Sequence, residues 1–268
     1  MDPIFDRRAV RLHRDRAAAT VNRVVPILRH AADALLDRLD DTTQVFTRAL
    51  DVGGRGVVAP LLRARGIATV ACDLSARMAA RSGTPCVAVD EEWLPFAPGS
   101  FDLVVANLSL HWVNDLPGAL IQLRRALTPN GLLLASVPAL GTLAALRTAL
   151  IVAETEATGG ASPRVSPFPE LRDMASLMQR AGFVLPVADA DTTALSYADP
   201  WALLRDLRDA GETNATVLRS RRPLPGPVLA RALASLPADD GRASVMLHIA
   251  TVTGWASAIA PARPTRVT

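Results

Sequence analysis

An α/β fold on an open, mostly parallel sheet is what this sequence predicts, and three observations predict it. Residues 101–138 (FDLVVANLSLHWVNDLPGALIQLRRALTPNGLLLASVP) read as an apolar strand, a loop, an amphipathic helix, a Pro-Asn-Gly turn and a second apolar strand. The same strand–helix alternation, with short connections, runs upstream of it. A Gly-rich turn, Asp51-Val-Gly-Gly-Arg-Gly56, follows another apolar strand. In such sheets, ligands gather beyond the carboxyl ends of the strands.

The elements follow in order. Residues 4–40 are expected to be helical in two pieces broken near Pro26, the second carrying a Leu28/Leu35/Leu36/Leu39 stripe. Strands are expected at 45–52, 67–72, 86–89, 103–106 and 132–137, and helices at 57–65, 75–81, 116–127, 142–158, 170–181 and 200–210. Ser75 caps one helix and Gly182 closes another. Two β-branched stretches near 191–197 and 244–253 add final strands. The chain thus divides into an N-terminal helical arm (1–40), an α/β domain (41–257) with lid or insert segments 159–169 and 211–243, and a flexible tail (258–268).

Half of the 268 residues are hydrophobic, enough for one large α/β domain with additions or for two small domains. The net charge of +3 is carried by arginine alone, with no lysine, and does not by itself argue for nucleic acid. Cys72 and Cys86 form neither a disulfide framework nor a zinc pattern, so a reducing, cytoplasmic setting is expected. The charged opening, Asp2 to Arg16, argues against a secretory signal. Pro138 and Gly141 interrupt the apolar run 131–153, so no membrane span is expected. Peripheral membrane contact stays open for the Arg-rich arm, although Asp6 and Asp15 favour a packed lid.

Candidate site residues collect at the strand ends. Asp51, Gly53, Gly54 and Gly56 make the first turn, where glycine allows positive φ and close backbone approach. Asp73, with Leu74 beside it, ends the next strand, where a carboxylate accepts ribose hydroxyls. The alternative for Asp73 is a helix cap. Asp90 and Glu91 end the third strand, where a carboxylate could accept an adenine amino group and Trp93 or Leu94 could flank the ring. The alternative there is a solvated acidic loop. Asn107 ends the fourth strand. Together these suggest a cofactor site of the S-adenosylmethionine kind.

His111, just past the fourth strand, is the candidate catalytic base; with Trp112 it could instead pack a helix entry or lid. The histidines at 13, 30, 111 and 248 make no His-x-Asp or His-x-Glu pair, so no resident metal is expected. Arg164, in the Ser162–Phe168 loop, could bind an acidic group or form a surface ion pair.

The runs Asp90-Glu-Glu-Trp-Leu-Pro-Phe96, Ser100–Val105, Leu108–Gly118 and Arg124–Gly131 resemble class I S-adenosylmethionine-dependent methyltransferases. They are similar to the branch that holds the malonyl-carrier-protein methyltransferase and the mitochondrial complex I assembly factor 5. Ile4–Arg11, Arg14–Ala18, Gly159–Phe168, Leu177–Phe183, Gly211–Ala215 and Thr253–Trp255 resemble the assembly-factor side of it. The resemblance implies a Rossmann-like fold with a mostly parallel seven-stranded sheet and helices on both faces. It implies S-adenosyl-L-methionine as cofactor and a protein substrate, with arginine on a respiratory complex I subunit the candidate, methylated or hydroxylated. One alternative is carboxyl O-methylation of a malonyl-carrier substrate. Another is a non-catalytic assembly chaperone with a degenerate cofactor site. The family's turn reads acidic-x-Gly-x-Gly-x-Gly, and here it is one residue shorter.

Overall fold

The computed structural model describes residues 2–257, so the expected flexible tail lies outside the described residues. The arm comprises α1 (Arg7–Ala17) and α2 (Val25–Leu36). Its break comes at residues 18–24, ahead of Pro26, which sits in the first turn of α2, where a missing N–H costs nothing. Then follow β1 (Arg48–Val52), α3 (Val58–Ala64), β2 (Ala68–Asp73), α4 (Ala76–Ala79) and β3 (Cys86–Ala88). The second half begins with β4 (Phe101–Asn107), α5 (Leu116–Ala126), β5 (Leu127–Pro138), α6 (Ala144–Thr158) and α7 (Leu171–Arg180). It ends with β6 (Phe183–Tyr197), α8 (Trp201–Asp209), α9 (Gly226–Ala234), β7 (Ala238–Asp239) and β8 (Arg242–Ala256).

The sheet runs β3-β2-β1-β4-β5-β8-β6, with the two-residue β7 paired to β8 off that path. Pairings from β3 to β5 are parallel, and β8 runs antiparallel to both neighbours. The order turns back at β1, so β1 and β4 are neighbours whose following chains leave in opposite directions. That is the switch point where a crevice opens. Both faces are covered: α5 and α7 pack on one through Leu120, Leu123, Met174 and Met178, and α2 and α3 on the other through Leu28, Leu35, Val58 and Leu62. Burial on both sides is why β4 and β5 read as unbroken apolar runs.

Several boundaries differ from expectation for local reasons. β1 starts at Arg48 because the Asp102 carboxylate takes the Thr47 and Arg48 N–H groups. β6 and β8 are fifteen residues each, far longer than their β-branched centres, and residues 211–243 contain α9 and β7. With α6 and α8 these elements close a further apolar cluster beside the carboxyl edge of the sheet, built on Leu146, Leu203 and Leu233.

Candidate functional site

The Gly turn leaves β1 at the switch point. Gly53, Arg55 and Gly56 all take positive φ (67°, 52° and 82°). A Cβ on Gly54 would lie 2.1 Å from Asp51 Oδ1, and one on Gly53 would lie 2.6 Å from the Ser109 Cβ. The turn is therefore folded tightly onto its own strand and onto the end of β4. Ser109 Oγ seals it by donating to the Val52 carbonyl at 2.7 Å.

Asp51 is fully buried. Its Oδ2 accepts the Ala59 N–H at 2.9 Å, and Oδ1 has no hydrogen-bond partner. Burial raises its pKa to about 7. Asp73 is buried at the end of β2; its Oδ1 accepts the Ser75 N–H at 2.8 Å, while Ser75 itself caps α4. Asp73 Oδ2 faces Arg14 Nη1 at 3.6 Å, too long for a hydrogen bond. Burial raises the Asp73 pKa, and Arg14 opposes that.

The remaining sequence-predicted residues lie around this pair. Leu74 packs under α1 against Phe5 and Trp112. Asp90 Oδ1 accepts from Arg7 Nη2 at 2.7 Å, and Glu91, buried, also pairs with Arg7. Trp93 is 79% exposed, whereas Leu94 packs on the core. Both ends of the Asn107 amide serve the fold: Nδ2 donates to the Leu28 carbonyl and Oδ1 accepts from Ser136 Oγ, each at 3.0 Å. Arg164 takes the ion-pair option, donating to Glu154 Oε1 at 2.6 Å.

The arm is a packed lid over these strand ends. Asn114 Oδ1 accepts the Ile4 and Phe5 N–H groups, and the Asp6 N–H donates to the Ala215 carbonyl. Phe5 meets Trp112 edge-on at 5.3 Å. This anchoring brings Arg7 and Arg14 inward onto the strand-end carboxylates.

Three buried or half-buried polar residues that sequence reasoning missed tie the site together: Arg14, Arg55 and Glu212. Glu212 follows α8, and its carboxylate accepts from Arg55 Nη1 (2.6 Å), His111 Nε2 (2.7 Å), Trp112 Nε1 (2.8 Å) and Arg14 Nη2 (3.4 Å). Burial alone would raise its pKa, but the two arginines and the His111 hydrogen bond hold it well below the usual carboxylate range. Arg55 also donates to the carbonyls of Leu108 (2.5 Å) and Asn107 (3.3 Å). Burial lowers the Arg55 pKa to about 10. His111 is buried in a short helical turn and burial lowers its pKa, so it is neutral near pH 7. A spacing signal existed for Arg14: Arg7, Val10, Arg14 and Ala17 fall on one helical face. No local pattern links Glu212 to His111 across the intervening chain.

Next to this network lies a cavity of about 330 Å³. Its polar end includes Arg55, Trp112, Phe168 and Glu212, and its far wall is leucine-rich, from α6, α8 and α9. The cavity lies against the carboxyl ends of β4 and β5, where Leu108 and Pro138 line it.

Comparison with known proteins gives the family. A methyltransferase-domain family model matches residues 23–186. The arginine-hydroxylase NDUFAF5 of Danio rerio is 33% identical over 98% of this chain and 86% of its own length. The malonyl-[acyl-carrier protein] O-methyltransferase of Halorhodospira halophila is 34% identical over 97% of this chain and 91% of its own length. Among solved structures, the YcgJ protein of Bacillus subtilis superposes with TM-score 0.59 at 13% identity, over 85% of this chain and 98% of that one. The matched span contains β1 to β5, the Gly turn and the strand-end carboxylates, so the chain belongs to the methyltransferase-domain family.

Proposed function

We propose that this chain is an S-adenosylmethionine-dependent methyltransferase acting on a protein side chain, with arginine the candidate acceptor and a respiratory complex I subunit the candidate partner. The observation that carries the cofactor reading is the pair Asp51 and Asp73 at adjacent strand ends. Asp51 Oδ1 has no donor, and Asp73 Oδ2 has its nearest cation out of hydrogen-bond reach. A buried acceptor without a donor, as Asp51 Oδ1 is, is costly, and the cofactor's hydroxyl and amino groups are donors. Gly53 presents no side chain beside Asp73. The residues therefore fit the cofactor in kind. Asp73 would hold the ribose, and Asp90 and Glu91 the adenine amino group. Arg7 now pairs with Asp90 and Glu91, and Arg14 lies near Asp73, so both must yield on binding.

When bound, the cofactor supplies a methyl group already activated on a sulfonium. What the chain must add is alignment, which supplies much of the rate in such transfers. An arginine side chain entering the cavity meets the rings of Trp112 and Phe168, chemistry suited to a guanidinium. The relatives named arginine-hydroxylase align over nearly the whole chain. The unpaired Cys72 and Cys86 support a cytoplasmic location.

Calorimetry of the full chain with S-adenosylmethionine tests the cofactor reading. Wild type should bind in the micromolar range, and Asp73→Ala should bind at least about tenfold more weakly, the effect of losing one buried acceptor. No binding by wild type would overturn the reading and leave an assembly scaffold. Unchanged binding by Asp73→Ala would overturn the placement. Labelled-methyl transfer to an arginine-bearing complex I subunit, against a malonyl thioester, then separates the two acceptor classes.

A further inference from the structure

Glu212 sits where four groups converge, three of which can only donate to it. Trp112 Nε1 and both guanidinium groups carry hydrogens and no lone pair to offer. Trp112 shares Oε2 with His111 Nε2, while Arg55 and Arg14 share Oε1. With two guanidinium groups on Oε1 and the Trp112 N–H on Oε2, the group is held as a carboxylate. His111 Nε2 must then carry its proton toward Oε2.

The other ring nitrogen follows from that. His111 Nδ1 is buried without a hydrogen-bond partner. If it carried a proton, a buried imidazolium would face Arg14 and Arg55 with an unsatisfied N–H, and Glu212 would be the carboxylate opposing them. Neutral imidazole with a bare Nδ1 is the state that this surrounding accepts.

We infer that Glu212 is a positioning residue: it fixes buried His111 as the Nε2–H tautomer and leaves Nδ1 as a proton acceptor. The setting is the one by which a carboxylate orients a catalytic imidazole elsewhere. The ring stands against Trp112 and Phe168 at centroid distances of 5.1 and 6.1 Å, and both of these line the cavity. His111 itself does not line the cavity and its Nδ1 is closed to it, so this acceptor serves a ligand group bearing an N–H or O–H that it must give up only once those two rings part. A carboxylate acceptor has no such proton. The substrate consequence rests on the proposed transferase reading; the tautomer does not.

Nitrogen-15 NMR of the histidine rings in the full chain tests this without any turnover, with His111→Phe supplying the assignment. Wild type should show His111 neutral at pH 7 with the proton on Nε2. In Glu212→Gln the carbonyl oxygen is claimed by the two arginines, so the amide NH2 turns toward His111 and donates to Nε2. The proton then moves to Nδ1, and the two nitrogen shifts exchange. A residue that merely fills space would leave the tautomer alone. A charged or Nδ1–H His111 in wild type overturns the inference, as does an unchanged tautomer in a folded Glu212→Gln. If that variant does not fold, the wild-type spectrum alone decides.

Discussion

Replacing Asp51 by asparagine should stabilise the protein at alkaline pH. Asp51 has no exposed surface, lies between β2 and β4, and receives one N–H, from Ala59. Burial lifts its pKa from 3.8 to about 7; the Ala59 N–H opposes that rise and Asp73 adds to it. The shift is about three units at ~1.4 kcal/mol each, so the ionised side chain costs the fold roughly 4 kcal/mol above pH 7. The sign follows from proton counting. Between about pH 4 and pH 7 the folded state holds a proton that the unfolded state has released, so stability falls as pH rises through this window. Below it both states are protonated and the penalty vanishes. Asparagine removes the charge but leaves an amide short of a partner, at about 1–3 kcal/mol. Asp51→Asn should therefore gain about 1–3 kcal/mol near pH 8, or about 2–6 °C in Tm for a chain of this size, and should lose that gain near pH 5. Thermal melts of both proteins at the two pH values measure this. A variant less stable than wild type at pH 8, or a difference that ignores pH, would refute the reasoning.

Two further outcomes follow from the same region. Gly54→Ala drives a Cβ to 2.1 Å from the Asp51 carboxylate and should cost about 2–3 kcal/mol, read as a lower urea midpoint at unchanged m; adding Asp51→Ala should recover part of it. Arg7→Ala strips the cation from Asp90 and from buried Glu91, a loss of about 3 kcal/mol that should speed amide exchange in α1 about a hundredfold and leave β4 and β5 protected. Equal exchange in α1 before and after would show that the arm is held by its Phe5 and Asn114 contacts alone.

The parallel half of the sheet was legible because burial on both faces writes β4 and β5 as continuous apolar runs. The β6–β8 pair was legible only at its centre. The start of β6 holds Leu185 at positive φ and a register shift between Val184 and Val187, and much of the strand is exposed, so no clean alternation marks it. The carboxylates at Asp51, Asp73 and Asp90 could be found because each sits at a strand end, a position that sequence reveals. What occupies the space between them could not. Arg14 and Arg55 look like solvated arginines in a chain whose every cation is arginine, and only the packed fold shows both to be 3% exposed. The one-residue shortening of the Gly turn was visible. Its result was not: Arg55 in the left-handed region, its guanidinium seated on the carbonyls that end β4.

The place of β8 has a consequence for synthesis. It is the last described strand to leave the ribosome, yet it lies between β5 and β6. Until Arg242–Ala256 emerge, β5 and β6 each present an unpaired edge, a template for the wrong neighbour. A nonsense codon anywhere between α9 and β8 would spare every strand-end carboxylate and Glu212. It would nonetheless leave a chain whose sheet cannot close, with aggregation rather than lost chemistry as its defect.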